Sequence, residues 1–284
     1  FSVPVLWSIG FMVTFVIGGM TGVLMAVPPA DFHLHNSLFL IAHFHNVIIG
    51  GVVFGVMAGL NYWFPKAFGF TLDERWGRRA FWCWLIGFYL AFMPLYVLGL
   101  LGMTRRMQHY DNVSWQPWLV VAAIGAAVIL VGVACQIVQL VVSIRDRALN
   151  RDLAADPWNG RTLEWSTASP PPAWNFAVLP HVAGADAYWG AKRRQQANPN
   201  QAAQTREYEA IEMPKNSAIG FINAFFAVVT GFALIWHIWW MAALGIFGAL
   251  LTFLLFAFRA EDEIEISAEQ IAQFERRHPA EVAL

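Results

Sequence analysis

The sequence predicts an all-α polytopic membrane protein with six transmembrane helices. Composition is the first reason: 58% of the 284 residues are hydrophobic, 13% are charged, and mean hydropathy is +0.49. A soluble domain carries about 25% charged and about 45–50% apolar residues. The second reason is how the charges are spaced. Residues 1–30, 32–65, 80–104, 112–144 and 216–258 contain no Asp, Glu, Lys or Arg. The third is aromatic content, 15% with 14 Trp and 23 Phe, which suits interfacial belts and flat cofactors. A formal net charge of −1 implies no polyanionic partner, so nucleic acid is excluded as a ligand. The two cysteines, Cys83 and Cys135, stand far apart in sequence inside apolar runs. They exclude a disulfide scaffold, a C-x-x-C redox motif and a thiolate metal cluster built by this chain.

A helix needs about 20 apolar residues to cross the hydrocarbon core. The first four charge-free stretches are therefore one span each, at about 3–27, 38–64, 80–103 and 116–142. The fifth, 216–258, is 43 residues long. As one helix it would reach about 64 Å, twice a bilayer core, so it must fold back as a hairpin. The belt-type cluster Trp236-His237-Ile238-Trp239-Trp240 marks the break. The chain divides into four core helices over 1–142, a long loop over 143–215, the hairpin over 216–258 and a tail over 259–284. Phe1 opens directly on apolar sequence with no signal-peptide pattern, so the chain is read as starting inside or just before a membrane helix. Loop 143–215 carries Pro170-Pro171-Pro172 and Lys192-Arg193-Arg194 without helical or strand periodicity. It is expected to lie extended against the membrane or a partner. The tail begins acidic (Glu261, Asp262, Glu263, Glu265) and turns amphipathic through Arg277.

The positive-inside rule orients the spans. Sixteen of the 18 basic residues fall in 65–79, 143–215 and the tail, which places those segments, the tail included, in the cytoplasm. The other two, Arg105 and Arg106, end the third span on the opposite side. Two arginines in a loop need no special reason; the sharper reading, since guanidinium binds carboxylate or phosphate in a bidentate fork, is an anion partner, either lipid phosphate or the carboxylates of a cofactor.

Four of the eight histidines lie between Asp31 and Asn46: His33, His35, His43 and His45. His43 and His45 stand inside an apolar helix, where a polar group is costly and usually functional. The plain alternative is a histidine bonded to a neighbouring helix. Residues i and i+2 are about 200° apart around a helix, so the pair cannot share one metal ion. It can serve two, one on each side, with Phe44 on a third face. Neutral imidazole is a common axial ligand of haem iron. Both histidines sit about 9–12 Å from the loop that the arginine pair also borders, close enough for a haem's propionates to meet the guanidinium groups. Asp31, His33 and His35, in the preceding outer loop, read either as solvated loop residues or as a polar layer over the cofactors. His237 reads as an interfacial structural residue, and His109 and His181 carry no spacing signal.

The run HNSLFLIAHFHNVIIGG (His35 to Gly51) closely resembles the haem-ligand helix of haem–copper terminal oxidase subunit I, best of all in the bacterial bo-type ubiquinol oxidases. GGMTGV (Gly18 to Val23), PKAFGF (Pro65 to Phe70), GMTRRM (Gly102 to Met107) and SIRDRALNRDL (Ser143 to Leu153) resemble the same subunit. So do DPWNGRTLEWSTASPPPAWNFAV (Asp156 to Val178) and MPKNS (Met213 to Ser217). The resemblance spans nearly the whole chain and makes its six helices part of a larger oxidase bundle. It implies that His43 ligates a high-spin haem, of type o or a, and His45 a low-spin haem b. Arg105 and Arg106 would bind haem propionates, and Asp31 and His35 would belong to the polar layer. The copper B ligands would lie upstream of Phe1, so this chain is not expected to turn over alone.

The resemblance further implies a proton-pumping enzyme of the bacterial inner membrane that reduces O2 to water by four electrons from ubiquinol. Its partners would be oxidase subunits II, III and IV. In cytochrome c oxidases an aspartate that helps bind magnesium follows the His35 position. Asn36 stands there instead and removes a hard anionic ligand, which argues against magnesium and for quinol. A cytochrome c oxidase subunit I is the nearer alternative. A transporter or assembly subunit with structural histidines is the alternative of another class.

Overall fold

In the computed structural model, residues 1–180, 182, 184–197, 207–259 and 263–277 are described. They form two compact units, each treated by itself: 1–172 with 182 and 184–197, and 173–180 with 207–259 and 263–277. Of the tail and loop residues named above, His181, Glu261 and Asp262 lie outside the described residues.

The first unit opens with α1 (Val3–Met25), which has Pro4 in its first turn, where the missing N–H costs nothing. Pro28 and Pro29 hold Val27 extended and start the short helix α2 (Pro28–Leu34). Helix α2 occupies the connection between the first two spans. Ser37 then caps α3 (Leu38–His45), accepting from the Phe39 N–H at 3.1 Å. The same rod continues as a π-helical stretch, Asn46–Val53, and as α4 (Phe54–Phe68). Gly69, at φ 76°, closes α4 in the left-handed conformation that glycine adopts freely.

Helix α5 (Glu74–Leu100) begins six residues before the charge-free stretch at 80. The cause is local: Asp73 accepts from the Trp76 N–H at 2.8 Å and Glu74 faces the positive end of the helix dipole. A 3₁₀ turn, Val113–Trp115, leads into α6 (Gln116–Arg145). Helices α5 and α6 touch through small residues. A Cβ on Gly125 would stand 2.2 Å from the Ala91 nitrogen, so only glycine permits this backbone approach. The core between α1, α4 and α5 is aromatic, with Trp7 edge-on to Phe54 at 5.2 Å and to Phe81 at 5.3 Å.

Residues 150–172 with α7 (Ala187–Ala197) do not lie extended, as the sequence reading expected. They fold onto the end of α4. Trp165 and Tyr188 are buried at 1% exposure, beside Tyr62 and Trp158. The Trp165 indole donates to the Tyr62 hydroxyl at 2.9 Å and the Trp158 indole to the Tyr62 carbonyl at 2.8 Å. Lys66 threads its ammonium into the carbonyls of Ala155 (2.9 Å) and Thr167 (2.6 Å). Lys192 pairs with Asp156 inside the same cluster, their side chains 8% and 1% exposed. No periodic pattern announces such a fold, because its core comes from single aromatic and charged residues spread over 130 positions.

In the second unit, β1 (Ile211–Pro214) pairs antiparallel with β2 (Glu263–Ile266), with Ile211 opposite Ile266. Helices α8 (Ile219–Ile235) and α9 (Trp239–Ala257) form a hairpin closed by Trp236, His237 and Ile238, with His237 at φ 57°. Amphipathic α10 (Ala268–Arg277) follows β2.

Five helical segments among the described residues are long and apolar enough to cross a membrane: Val3–Met25, Leu38–Phe68, Glu74–Leu100, Val113–Arg145 and Trp239–Ala257. The sixth expected span, Ile219–Ile235, is apolar but only 17 residues long. At about 1.5 Å per residue it reaches about 26 Å, just short of a hydrocarbon core of about 30 Å. The described residues thus hold five candidate spans and one shorter apolar helix. The chain is a multi-pass membrane protein.

Candidate functional site

Helix α3 stands between α1 and α5, and its two internal histidines address different neighbours. On the α1 side, the Nδ1 of His43 lies 3.0 Å from the Gly18 carbonyl and 3.1 Å from the Thr21 hydroxyl. A carbonyl only accepts, so Nδ1 carries the proton and Nε2 keeps its lone pair. The ring lies over Gly22, where a Cβ would stand 2.8 Å from His43 Cε1. Any larger residue there would displace the imidazole.

His45 turns back along its own helix, and its Nδ1 donates to the Ile41 carbonyl at 2.7 Å. Its ring stacks on Phe92 of α5 at 4.3 Å and on Phe44 at 4.4 Å. Phe44 thus lies flat against His45. Both histidines share one chemical state: Nδ1 is anchored to a backbone carbonyl, and Nε2 makes no hydrogen bond among the described residues. This is how a protein presents an imidazole to a metal, because the anchored Nδ1–H fixes the tautomer and raises the basicity of Nε2. The two imidazoles, turned to different neighbouring helices, would suit two separate haem irons and would not share a single ion.

The arginine pair follows α5 in a loop tied to the head of α3. The Leu38 N–H donates to the Met103 carbonyl at 3.0 Å, and the Arg105 N–H donates to the Asn36 carbonyl at 2.9 Å. Ser37 and Thr104 face each other as an antiparallel bridge. The half-buried Arg105 therefore sits at the entrance of the histidine helix, and its buried Nε has no partner. An orphaned guanidinium N–H is costly and calls for an anion, which the ionised propionate of a haem would satisfy. Arg106 is exposed, at φ 64°, and makes no ion pair among the described residues.

Asp31 and His35 stand at the same end. Asp31 lends its backbone carbonyl to His35 Nδ1 at 2.8 Å, and His35 Nε2 accepts from the Asn36 amide at 3.0 Å. Both imidazole nitrogens of His35 are thus engaged. His33 is exposed on α2, His109 pairs with Asp111 at 2.6 Å, and His237 is exposed at the turn of the α8–α9 hairpin. Sequence reasoning missed Thr21, Tyr96 and Phe92, which surround the two histidines. The equal seven-residue spacing of Thr14 and Thr21 and of Tyr89 and Tyr96 was the available signal.

Residues 1–128 match the family model described as cytochrome c and quinol oxidase polypeptide I. Over 97% of its length the chain is 63% identical to a protein of Bradyrhizobium diazoefficiens named probable cytochrome c oxidase subunit 1. Over 96% it is 55% identical to ubiquinol oxidase subunit 1 of Acetobacter aceti. Over 96% it is 52% identical to cytochrome bo(3) ubiquinol oxidase subunit 1 of Buchnera aphidicola. The chain spans about 41% of the length of each of these relatives. With this identity along nearly all of its residues, the chain belongs to the cytochrome c and quinol oxidase subunit I family.

Proposed function

We propose that the chain is the C-terminal part of subunit I of a proton-pumping respiratory quinol oxidase that reduces O2 to water. The observation that carries this reading is the His43–His45 pair, two Nδ1-anchored imidazoles turned to α1 and α5 from one short helix. In the reading, His43 holds a high-spin haem, of type o or a, and His45 a low-spin haem b. Together with copper B, held by residues outside this chain, these groups supply electron transfer and oxygen chemistry when bound. The chain's own residues do the positioning. Gly18 and Ile41 fix the two tautomers, Gly22 leaves room for the His43 ring, and the Phe92 and Phe44 rings hold His45.

Arg105 and Arg106 bind propionates in this reading, and Asp31 and His35 order the polar layer beside them. The half-buried Arg105 guanidinium responds to the charge state of the haems and, with Arg106, acts as the gate for pumped protons. Residues 1–142 form the haem-bearing core. The 143–215 segment and the 259–284 tail lie in the cytoplasm of a cell with an inner membrane. The 216–258 hairpin packs near the other oxidase subunits, II, III and IV.

Ubiquinol is the donor favoured by Asn36 and by the ubiquinol oxidase names of the 55% and 52% identical relatives. The 63% identical relative, named as a probable cytochrome c oxidase subunit, keeps reduced cytochrome c as the second reading. Oxygen uptake by the native complex with ubiquinol and with reduced cytochrome c decides between them. The haem assignment is tested by reduced-minus-oxidised spectra of membranes holding the His45→Leu subunit. The low-spin band should vanish, and its survival would sink the ligand assignment.

A further inference from the structure

Helices α1 and α5 are joined beside the histidine helix by two matching hydroxyl contacts. Thr14 Oγ1 lies 3.2 Å from the Tyr89 hydroxyl, and Thr21 Oγ1 lies 2.9 Å from the Tyr96 hydroxyl. The threonines are seven residues apart, as are the tyrosines. Seven residues is about two helical turns, so the contacts are successive rungs on one face. As packing, the two rungs are equivalent.

They differ in what else they touch. Thr21 Oγ1 also lies 3.1 Å from His43 Nδ1 and 2.9 Å from the Gly18 carbonyl, the same carbonyl that His43 Nδ1 approaches at 3.0 Å. Thr14 is buried against Gly50 and has no hydrogen bond to a histidine among the described residues.

The protons can be counted. Gly18 O can only accept. The single Thr21 proton and the His43 Nδ1 proton both point to it, and the Tyr96 phenol is left to donate to Thr21 Oγ1. Every donor is served and none faces another. Thr21 thus shares the carbonyl with the histidine and also offers its own oxygen as a second acceptor for Nδ1–H. Hydrogen bonds in such a chain polarise one another where the local dielectric is low. The strength of the Nδ1–H bond sets how much electron density Nε2 can give a metal.

We propose that Thr21 and Tyr96 are positioning residues for His43, fixing its ring and tuning the electron donation of Nε2, whereas Thr14 and Tyr89 only join the helices. The proposal rests on the reading of His43 as a haem ligand and deepens it.

Resonance Raman spectra of the reduced, solubilised oxidase report the iron–histidine stretch of the high-spin haem directly. Tyr96→Phe and Thr21→Val should each shift this band while the low-spin haem bands stay in place. Thr21→Ser keeps the hydroxyl and should return the band to its native position. Tyr89→Phe, which removes the matching hydroxyl one rung away, should leave it unmoved. Coincidence of the Tyr96→Phe and Thr21→Val bands with the native one would overturn the proposal, as would an equal shift in Tyr89→Phe. Tyr96→Phe removes one oxygen from a partly buried ring, so it still decides the question should Thr21→Val not assemble. Survival of the band in His43→Leu would instead strike the ligand reading, and the proposal with it.

Discussion

The backbone N–H of Arg105 donates to the carbonyl of Asn36 over 2.9 Å, so the loop leaving α5 is pinned to the residue that precedes the histidine helix. The contact joins positions 69 residues apart in sequence. It fixes the height of the Arg105 backbone relative to His43 and His45, whatever rotamer the side chain takes.

Arg105→Gln keeps that backbone contact and removes the charge. In the gate reading, the ratio of protons pumped to electrons transferred should fall while haem content stays near native. Proton release by reconstituted vesicles after a small oxygen pulse measures it. A native ratio at normal turnover would exclude Arg105 from the gate.

Gly22→Val should empty the His43 site selectively. A Cβ at this position already stands 2.8 Å from His43 Cε1, and the valine methyl groups add to the overlap. Overpacking of this kind costs about 1–3 kcal/mol. Carbon monoxide difference spectra, which report the high-spin haem, should lose amplitude, while the low-spin band assigned to His45 persists.

Lys66→Met should loosen residues 150–172 without touching the haem spectra. The ammonium donates to the carbonyls of Ala155, Thr167 and Ala168, and hydrogen bonds from a charged donor are worth about 1.5–3 kcal/mol each. Limited proteolysis of membranes should cut this segment faster in the variant. Equal rates would show that the aromatic cluster holds it alone.

Asp156→Ala should destabilise the same cluster more than Lys66→Met, because it strands the buried Lys192 ammonium. Breaking a buried pair from one side costs about 3–5 kcal/mol. Replacing both partners, as Asp156→Leu with Lys192→Met, should recover part of the loss. Hydrogen exchange across 187–197 is the measure, and a double variant no better than the single one would contradict the argument.

The histidine pair was legible because a two-residue spacing in a helix has one geometric meaning, and the structure turns the two rings to different helices. The span positions were legible because hydrocarbon excludes charge. Helix ends were less so: a charge-free stretch marks where lipid tails lie, whereas α5 starts where Asp73 caps it, amid Glu74, Arg75, Arg78 and Arg79. The folded segment at 150–197 was illegible for a different reason. Its buried residues, Asp156, Trp165, Tyr188 and Lys192, follow no period, and two of them are charges buried as a pair. Thr21, which contacts His43, and Tyr96, which contacts Thr21, lay hidden in an equal spacing on two helices, which gains its meaning only once the helices are placed side by side.

The π-helical stretch Asn46–Val53 links the phases of the two ends of one rod. Each residue in a regular helix turns the chain by about 100°. Gaining or losing one residue in this stretch would leave the histidines facing α1 and α5 and swing Lys66, with all of α4, around the axis by about that angle. The gain or loss of a residue here therefore disturbs more than a substitution does, although Gly50, against which Thr14 is packed, admits no side chain. An alignment gap here would mark a chain whose two ends have been re-registered against each other.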